Sequence, residues 1–296
     1  ITKTVKARGA KMEAVIEERT APAVVIPGIT YGNLVPKVPF LGYRLLKNIR
    51  MEQVFPYINK ISLFRAQWQF RRGNMSPEEY EKIIQEKVEP LYEEMKKRAI
   101  REKILQPAAI YGFYPCYSRG DELVVLDESG KNEKVRFTFP RQKKEPYYCL
   151  SDFFRPKSAG LDVAGFQVVT VGSHASEVEQ KLFTSNQYTD YLYLHGLSVE
   201  SAEGLAEYVH ALIRKEMGIA STDSTNMEDM FRQGYQGSRY SFGYPACPHL
   251  EDQTKLFELV PADKIGISLT EEFQLVPEQS TSAIVVHHPR AKYFNI

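Results

Sequence analysis

The period of the hydrophobic pattern changes partway along this chain, and that change restricts the fold more than any other feature. Ser76-Pro77-Glu78-Glu79 is a helix start: Ser76 can accept from the first turn, Pro77 lacks an N–H that would have no partner there, and Glu79 can close a capping box. Tyr80, Ile83, Ile84, Val88, Leu91, Tyr92 and Met95 then fall on one stripe with Glu and Lys facing water, so a long amphipathic helix is expected, bent at Pro90. Past this helix the pattern becomes β-rich. Residues 109–114, 122–126 and 135–139 are short runs separated by Gly120 and by Ser129-Gly130-Lys131, expected to pair as antiparallel hairpins. Further strands are expected over 166–171 and 283–286. Between them Val199, Ala202, Leu205, Ala206, Val209, Leu212, Ile213 and Met217 mark a helix over 199–217. Strands and helices are partly segregated instead of alternating, which predicts an α+β fold with an antiparallel sheet. No G-x-G-x-x-G turn joins a strand to a helix, which argues against a doubly wound, Rossmann-type methyltransferase.

Composition narrows the partners. The 296 residues carry 38 Lys and Arg against 37 Asp and Glu, a net charge of +1. No bulk field exists to collect nucleic acid or an anionic membrane, so electrostatic recognition has to be local. No apolar run approaches the ~20 residues that span a bilayer. Cys116, Cys149 and Cys247 are widely spaced with no C-x-x-C pair; they suggest neither a disulfide framework nor a zinc site, and point to a reducing compartment, the cytoplasm. Pro22, Pro27, Pro36 and Pro39, with Gly28 and Gly32, interrupt the N-terminal stretch, where any helix over 11–19 must stop by Thr20. Residues 1–30 read as a tether and 31–296 as the folded unit. A chain that starts at Ile1 without an initiator Met suggests a piece of a longer polypeptide.

The densest segment is 234–248, where glycines, aromatics, two prolines and Arg239 are compressed into a loop. Gly243 permits close backbone approach, Arg239 can fork onto a carboxylate, and tyrosine faces can hold a cation. Those parts suit a zwitterionic or cationic ligand; a surface loop packed by its own rings would use the same residues. On the helix over 199–217, Glu203, Glu207 and His210 are spaced i, i+4, i+7 on the flank of the apolar stripe. Glu207-x-x-His210 is half of a carboxylate-bridged di-iron pattern, but no second Glu-x-x-His occurs, so no metal site is expected. His287 and His288 are neighbours that point to opposite faces of a strand and read as edge histidines. Cys247 has no identifiable base, and Asp121, Asp127 and Asp152 read as turn residues. No catalytic acid, base or nucleophile is assigned. The small polar run 276–282 reads as a turn leading into the strand over 283–286.

Arg239-x-x-x-Gly243-Tyr244-Pro245-Ala246-Cys247-Pro248 resembles the S-adenosyl-L-methionine (AdoMet) motif of the activation domain of cobalamin-dependent methionine synthase. Further matches are Leu63-Phe64-Arg65-Ala66-Gln67-Trp68, Tyr148-Cys149-Leu150-Ser151-Asp152-Phe153, Ala202-Glu203-Gly204-Leu205-Ala206-Glu207-Tyr208 and His288-Pro289-Arg290-Ala291-Lys292-Tyr293-Phe294. Together they cover roughly 31–296. The resemblance implies a single C-shaped α+β domain around a bent antiparallel sheet with flanking helices. It also implies a methyltransferase role in methionine biosynthesis, in which AdoMet is bound and its methyl group presented for reductive methylation of cob(II)alamin. Cobalamin would be carried by a corrinoid-binding domain whose D-x-H-x-x-G motif is absent here, as is the zinc-dependent homocysteine domain. A flavodoxin or similar reductase would supply the electron. Carried over by residue, the resemblance assigns Arg239 to the AdoMet carboxylate, Glu203 to its amino group, Ser241, Gly243 and Tyr244 to the ligand loop, and Tyr293 and Phe294 to the C-terminal aromatic segment. Asn59 stands where better-known members have an acidic residue, and brings no charge to the ammonium. It also implies that 276–282 stands beside the AdoMet loop. A non-catalytic AdoMet sensor, or a free-standing reactivator of another corrinoid protein, are the alternatives.

Overall fold

The computed structural model describes residues 29–296; most of the 1–30 tether, and the helix expected over 11–19, lie outside them. After β1 (Gly42–Leu46) come the short helices α1 (Met51–Val54) and α2 (Lys60–Ser62). The expected long helix follows as α3 (Pro77–Ile83) and α4 (Glu89–Arg101), joined by one π turn at Ile84–Val88. Its start is as read: Ser76 Oγ accepts from Glu79 N at 3.1 Å and Glu79 Oε2 from Ser76 N at 2.8 Å. The π turn explains how Pro90 is accommodated. Glu89 N reaches back five residues to Ile84 O, and this widened turn sits just ahead of a proline that has no N–H and whose ring crowds the preceding turn.

The sheet then forms from β2 (Ala108–Arg119), β3 (Glu122–Leu126), β4 (Glu133–Thr138) and β5 (Asp162–Thr170). Helices α5 (Ser173–Thr184), α6 (Tyr188–Glu216) and α7 (Met227–Phe231) intervene before β6 (Ser238–Ser241). Helix α8 (Asp252–Leu259), the small hairpin β7 (Ser268–Leu269) and β8 (Leu275–Val276), and β9 (Ser280–Val286) complete the chain. The main sheet runs β4-β3-β2-β5-β9-β6, with β1 also paired to β2, and every pairing is antiparallel. This is the expected α+β architecture. Pro115 is tolerated inside β2 because it lies between the part registered with β1, which ends at Phe113, and the part registered with β3, which begins at Cys116.

Strand β5 is buried along its whole length. Its alternate residues feed two cores: Val163 and Val169 pack with the helices on one face, Ala164, Phe166 and Val168 with β6, α8 and the C-terminal segment on the other. Each such apolar side chain contributes ~1.5–3 kcal/mol on full burial. Gln167 breaks the apolar run on the helix face, and its Nε2 donates to Ala206 O of α6 at 3.0 Å. On the far face the C-terminal histidines are not edge residues. His287 Nε2 meets Asp162 Oδ1 at 2.6 Å and His288 Nε2 meets Thr30 O at 2.9 Å, both rings buried. Asp121 and Asp152 likewise exceed a turn role, since both are gripped by the Arg141 guanidinium.

Among the elements that were not expected are β1, α5, α8, and β6 within the glycine-rich loop. Helix α6 also starts eleven residues before the expected boundary, through Gly196, a residue that costs about 1 kcal/mol in a helix interior. Tertiary contact outweighs that cost. At Gly196 the helix meets Gln67 and Trp68, and a built Cβ would stand 2.8 Å from Gln67 Cβ and from Trp68 Cδ1. The indole Nε1 donates to Tyr193 O at 3.0 Å, fixing the crossing. Among the described residues no helix is long and apolar enough to cross a membrane.

Because Gly196 sets this approach, Gly196→Ala is expected to lower unfolding free energy by about 1–3 kcal/mol through overpacking. Urea denaturation followed by tryptophan fluorescence measures it, and an unchanged midpoint would show that Trp68 moves aside at no cost.

Candidate ligand cavity

Helix α6 turns one polar face away from the core. Glu200, Glu203 and Glu207, at i, i+3 and i+7, lie on that face and line a cavity of about 540 Å³, within the ~300–1,000 Å³ typical of small-molecule sites. The opposite wall is β6 with its following loop, which contributes Arg239, Ser241 and Tyr244. Tyr57, Asn59, Ser62 and Gln67 close a third side, and the segment 230–235 with Tyr293 closes the fourth. Gly204 allows this closure: a built Cβ would stand 3.2–3.3 Å from Ile58 and the Tyr57 carbonyl, so the chain carrying Tyr57 and Asn59 lies directly on the helix.

Arg239 is the cation of the cavity wall. Its Nη2 donates to Glu203 Oε2 and its Nη1 to Glu207 Oε2, both at 3.1 Å. Burial opposes the charge, but Glu207 and Glu203 overcome it and hold the guanidinium above its ordinary pKa. The two carboxylates differ in freedom: the Glu203 side chain is 42% exposed and that of Glu207 only 9%. Glu200, the third acid, accepts from Ser62 Oγ at 2.6 Å, and burial raises its pKa despite that contact. The arrangement offers a fixed cation, one exchangeable carboxylate and the faces of Tyr57, Tyr235 and Tyr244, which fits a small molecule bearing both an anionic and a cationic group.

Six of the eight residues singled out from sequence line this cavity: Asn59, Glu203, Arg239, Ser241, Tyr244 and Tyr293. Gly243 does not; at φ +86° it turns the loop into an adjoining cavity of about 380 Å³, which shares Glu203 and Tyr244 with the first. Phe294 belongs to the sheet core instead, buried against Tyr148, Phe153 and Tyr240, while its neighbour Tyr293 stays exposed. Asn59 has a local task. Its Oδ1 accepts from Ile61 N and Ser62 N and caps α2, so its lone pairs are committed and only its amide donors remain. Ser280 to Ser282 line the adjoining cavity beside Gly243 and Tyr244, but as the first residues of β9, not as a turn. Sequence reading missed Tyr57, Ser62, Gln67, Glu200 and the 230–233 segment. Of these Glu200 carried a signal in its helical spacing from Glu203, and Gln67 stood within the matching string 63–68.

Behind the cavity, His210 is wholly buried and edge-on to Tyr235, with ring centroids 5.1 Å apart. Its Nδ1 is 3.8 Å from Glu207 Oε1, too far for a hydrogen bond. Burial, reinforced by Arg214 and Arg239, holds its pKa well below the ordinary histidine value.

Residues 50–296 match the family described as vitamin B12 dependent methionine synthase, activation domain. The chain is 40% identical over 278 residues to methionine synthases of Mycobacterium tuberculosis and Mycobacterium leprae, a match covering 88% of this chain and 23% of each of those. It therefore spans just under a quarter of the relatives' length. Among solved structures it resembles the MetH reactivation domain bound to AdoHcy, with a TM-score of 0.78 and 26% identity over 89% of this chain and 83% of that one.

The neutral burial of His210 has a signed consequence. The unfolded chain takes up a proton below about pH 6.5 that the folded chain refuses, so this residue's contribution is intact above that pH and lost as pH falls below it, by up to about 1.4 kcal/mol per pH unit. His210→Leu is expected to flatten the fall in stability between pH 6.5 and 5, measured by denaturant titration at each pH; parallel pH profiles for parent and variant would contradict it.

Proposed function

This chain belongs to the family of activation domains of vitamin B12-dependent methionine synthase, and from that premise we propose that its cavity binds AdoMet and presents the methyl group for reductive methylation of cob(II)alamin. The observation that carries the reading is the Arg239–Glu203–Glu207 arrangement on the cavity wall. AdoMet brings an α-carboxylate, an α-ammonium and a sulfonium, and the donor set matches each in kind.

Binding proceeds by exchange of ion pairs. Glu203, the accessible carboxylate, releases Arg239 Nη2 and turns to the ammonium, and the freed Nη2 takes the α-carboxylate. Glu207 keeps its hold on Nη1, so the guanidinium does not swing. Asn59, whose oxygen is spent on the α2 cap, contributes no acceptor to the ammonium. Tyrosine faces accept the sulfonium charge. No general base is required, because the sulfonium is already an activated methyl donor; what the chain supplies is position. The adjoining cavity, with Gly243 and the small side chains Ser280, Thr281 and Ser282 among its lining, supports an approach of the acceptor from that side.

The corrinoid, carried by another part of the same enzyme, accepts the methyl once cob(II)alamin has gained one electron; AdoHcy and methylcobalamin are the products. A flavodoxin or similar reductase in the cytoplasm is the proposed electron source. The test supplies a cob(II)alamin-loaded corrinoid domain, AdoMet and a one-electron reductant, and follows methylcobalamin in the visible spectrum. Binding of AdoMet without any methylcobalamin would leave a sensor module as the better description.

Arg239→Ala is expected to weaken AdoMet binding by about tenfold to a hundredfold, the loss of a charge-assisted contact worth about 1.5–3 kcal/mol. Calorimetric titration of the folded variant measures it, and an affinity equal to the parent's would remove Arg239 from the site.

A further inference from the structure

Arg214 is charged and has no exposed side-chain surface, a combination that needs a reason. It lies two turns beyond Glu207 on α6 and does not line the cavity. Its Nη1 donates to Glu207 Oε1 at 3.3 Å and its Nε to Asp223 Oδ2 at 3.0 Å, while the guanidinium carbon lies 4.0 Å from the centre of the Tyr235 ring. Glu207 is thus shared: one oxygen faces Arg214 and the other faces Arg239. Asp223 comes from the segment after α6, which is itself closed by Ser224 N donating to Gly234 O at 2.8 Å. The chain of contacts runs Asp223, Arg214, Glu207, Arg239, and of these Glu207 and Arg239 line the cavity while Arg214 and Asp223 stand behind it.

A carboxylate with a single guanidinium partner takes it in the two-pronged geometry that Arg favours. Glu207 with no Arg214 would offer both oxygens to Arg239 and draw two of its N–H groups away from the ligand. With Arg214 present, one oxygen is occupied and Glu207 can claim only Nη1. We infer that Arg214 is a positioning residue that limits Glu207 to one contact with Arg239, and thereby keeps the Nη2 edge of Arg239 available to the ligand carboxylate. The inference rests on the AdoMet reading above, and adds to it a residue outside the cavity that determines how strongly a carboxylate-bearing ligand is held.

The test uses the 296-residue chain and two probes in calorimetric titration, AdoMet and decarboxylated AdoMet, which keeps the sulfonium and the amine but lacks the α-carboxylate. Arg214→Gln is expected to weaken AdoMet about tenfold and decarboxylated AdoMet less than twofold. Arg214→Lys, which retains the charge, is expected to recover part of the AdoMet loss. Asp223→Asn, milder on folding, is expected to give a smaller loss with the same preference for the carboxylate-bearing probe, and it decides the matter if Arg214→Gln does not fold. Equal losses for both probes would mean that Arg214 only supports the fold, and unchanged affinity for AdoMet would mean that Glu207 is held without it; either overturns the inference and leaves the AdoMet reading intact. Failure of the parent chain to bind AdoMet overturns that reading, and this inference with it.

Discussion

Glu207 has almost no access to water, and an unpaired carboxylate in such a place costs several kcal/mol. Much of one side of the molecule is arranged around that cost. Arg214 reaches it from the same helix, and Arg239 from an edge strand thirty-two residues further on, so α6 and β6 are tied by charge as well as by packing. Asp223 compensates Arg214 in turn, which holds the segment after α6 in place. Tyr235 lies over Arg214 and beside His210, so an aromatic ring packs against the buried guanidinium. The ligand cavity is the open end of this network, where compensation is left to a carboxylate with access to solvent.

The sheet makes the network possible by being buried on both faces. β5 sends alternate residues to a helix-side core and to a second core under the C-terminal segment, and its Gln167 ties the helix side to α6. β9 pairs with β5 on one side and carries β6 on the other, so the register Arg239↔Val285 decides which face of β6 meets α6. A slip of one residue would turn Arg239 into the second core and Tyr240 toward the acids. The Asp162–His287 pair, buried between β5 and the end of β9, adds a polar constraint on that pairing, since displacing either partner would leave the other unsatisfied.

The cavity divides rigid from exchangeable groups along α6. Glu207 is constrained from two sides and Glu203 from one, although both sit on the same face of the same helix. That difference comes from depth: the Glu203 side chain keeps contact with water and can change partners at small cost, as exposed ion pairs do. A zwitterion entering such a site finds a fixed cation and a mobile anion, so the charges rearrange without a change of fold.

Much of this was legible in the sequence. The change of hydrophobic period predicted an α+β fold, because amphipathic stripes and alternating strands are local consequences of which face a side chain occupies. The compressed loop 234–248 pointed to Arg239, and helical spacing placed Glu203 and Glu207 on one face. What the sequence could not show depends on contacts between distant segments. β6 is four residues of a glycine-rich loop that become a strand only because β9 offers an edge. The first turns of α6 persist through Gly196 because Gln67 and Trp68 press against it. Phe294 is core while Tyr293 lines the cavity, and His287 is buried because Asp162 waits for it. Arg214 is one of many charged residues in the sequence, and its importance follows only from being enclosed in three dimensions beside Glu207. Local pattern decides which faces can be buried; which polar groups must pair once they are buried is decided when the faces meet.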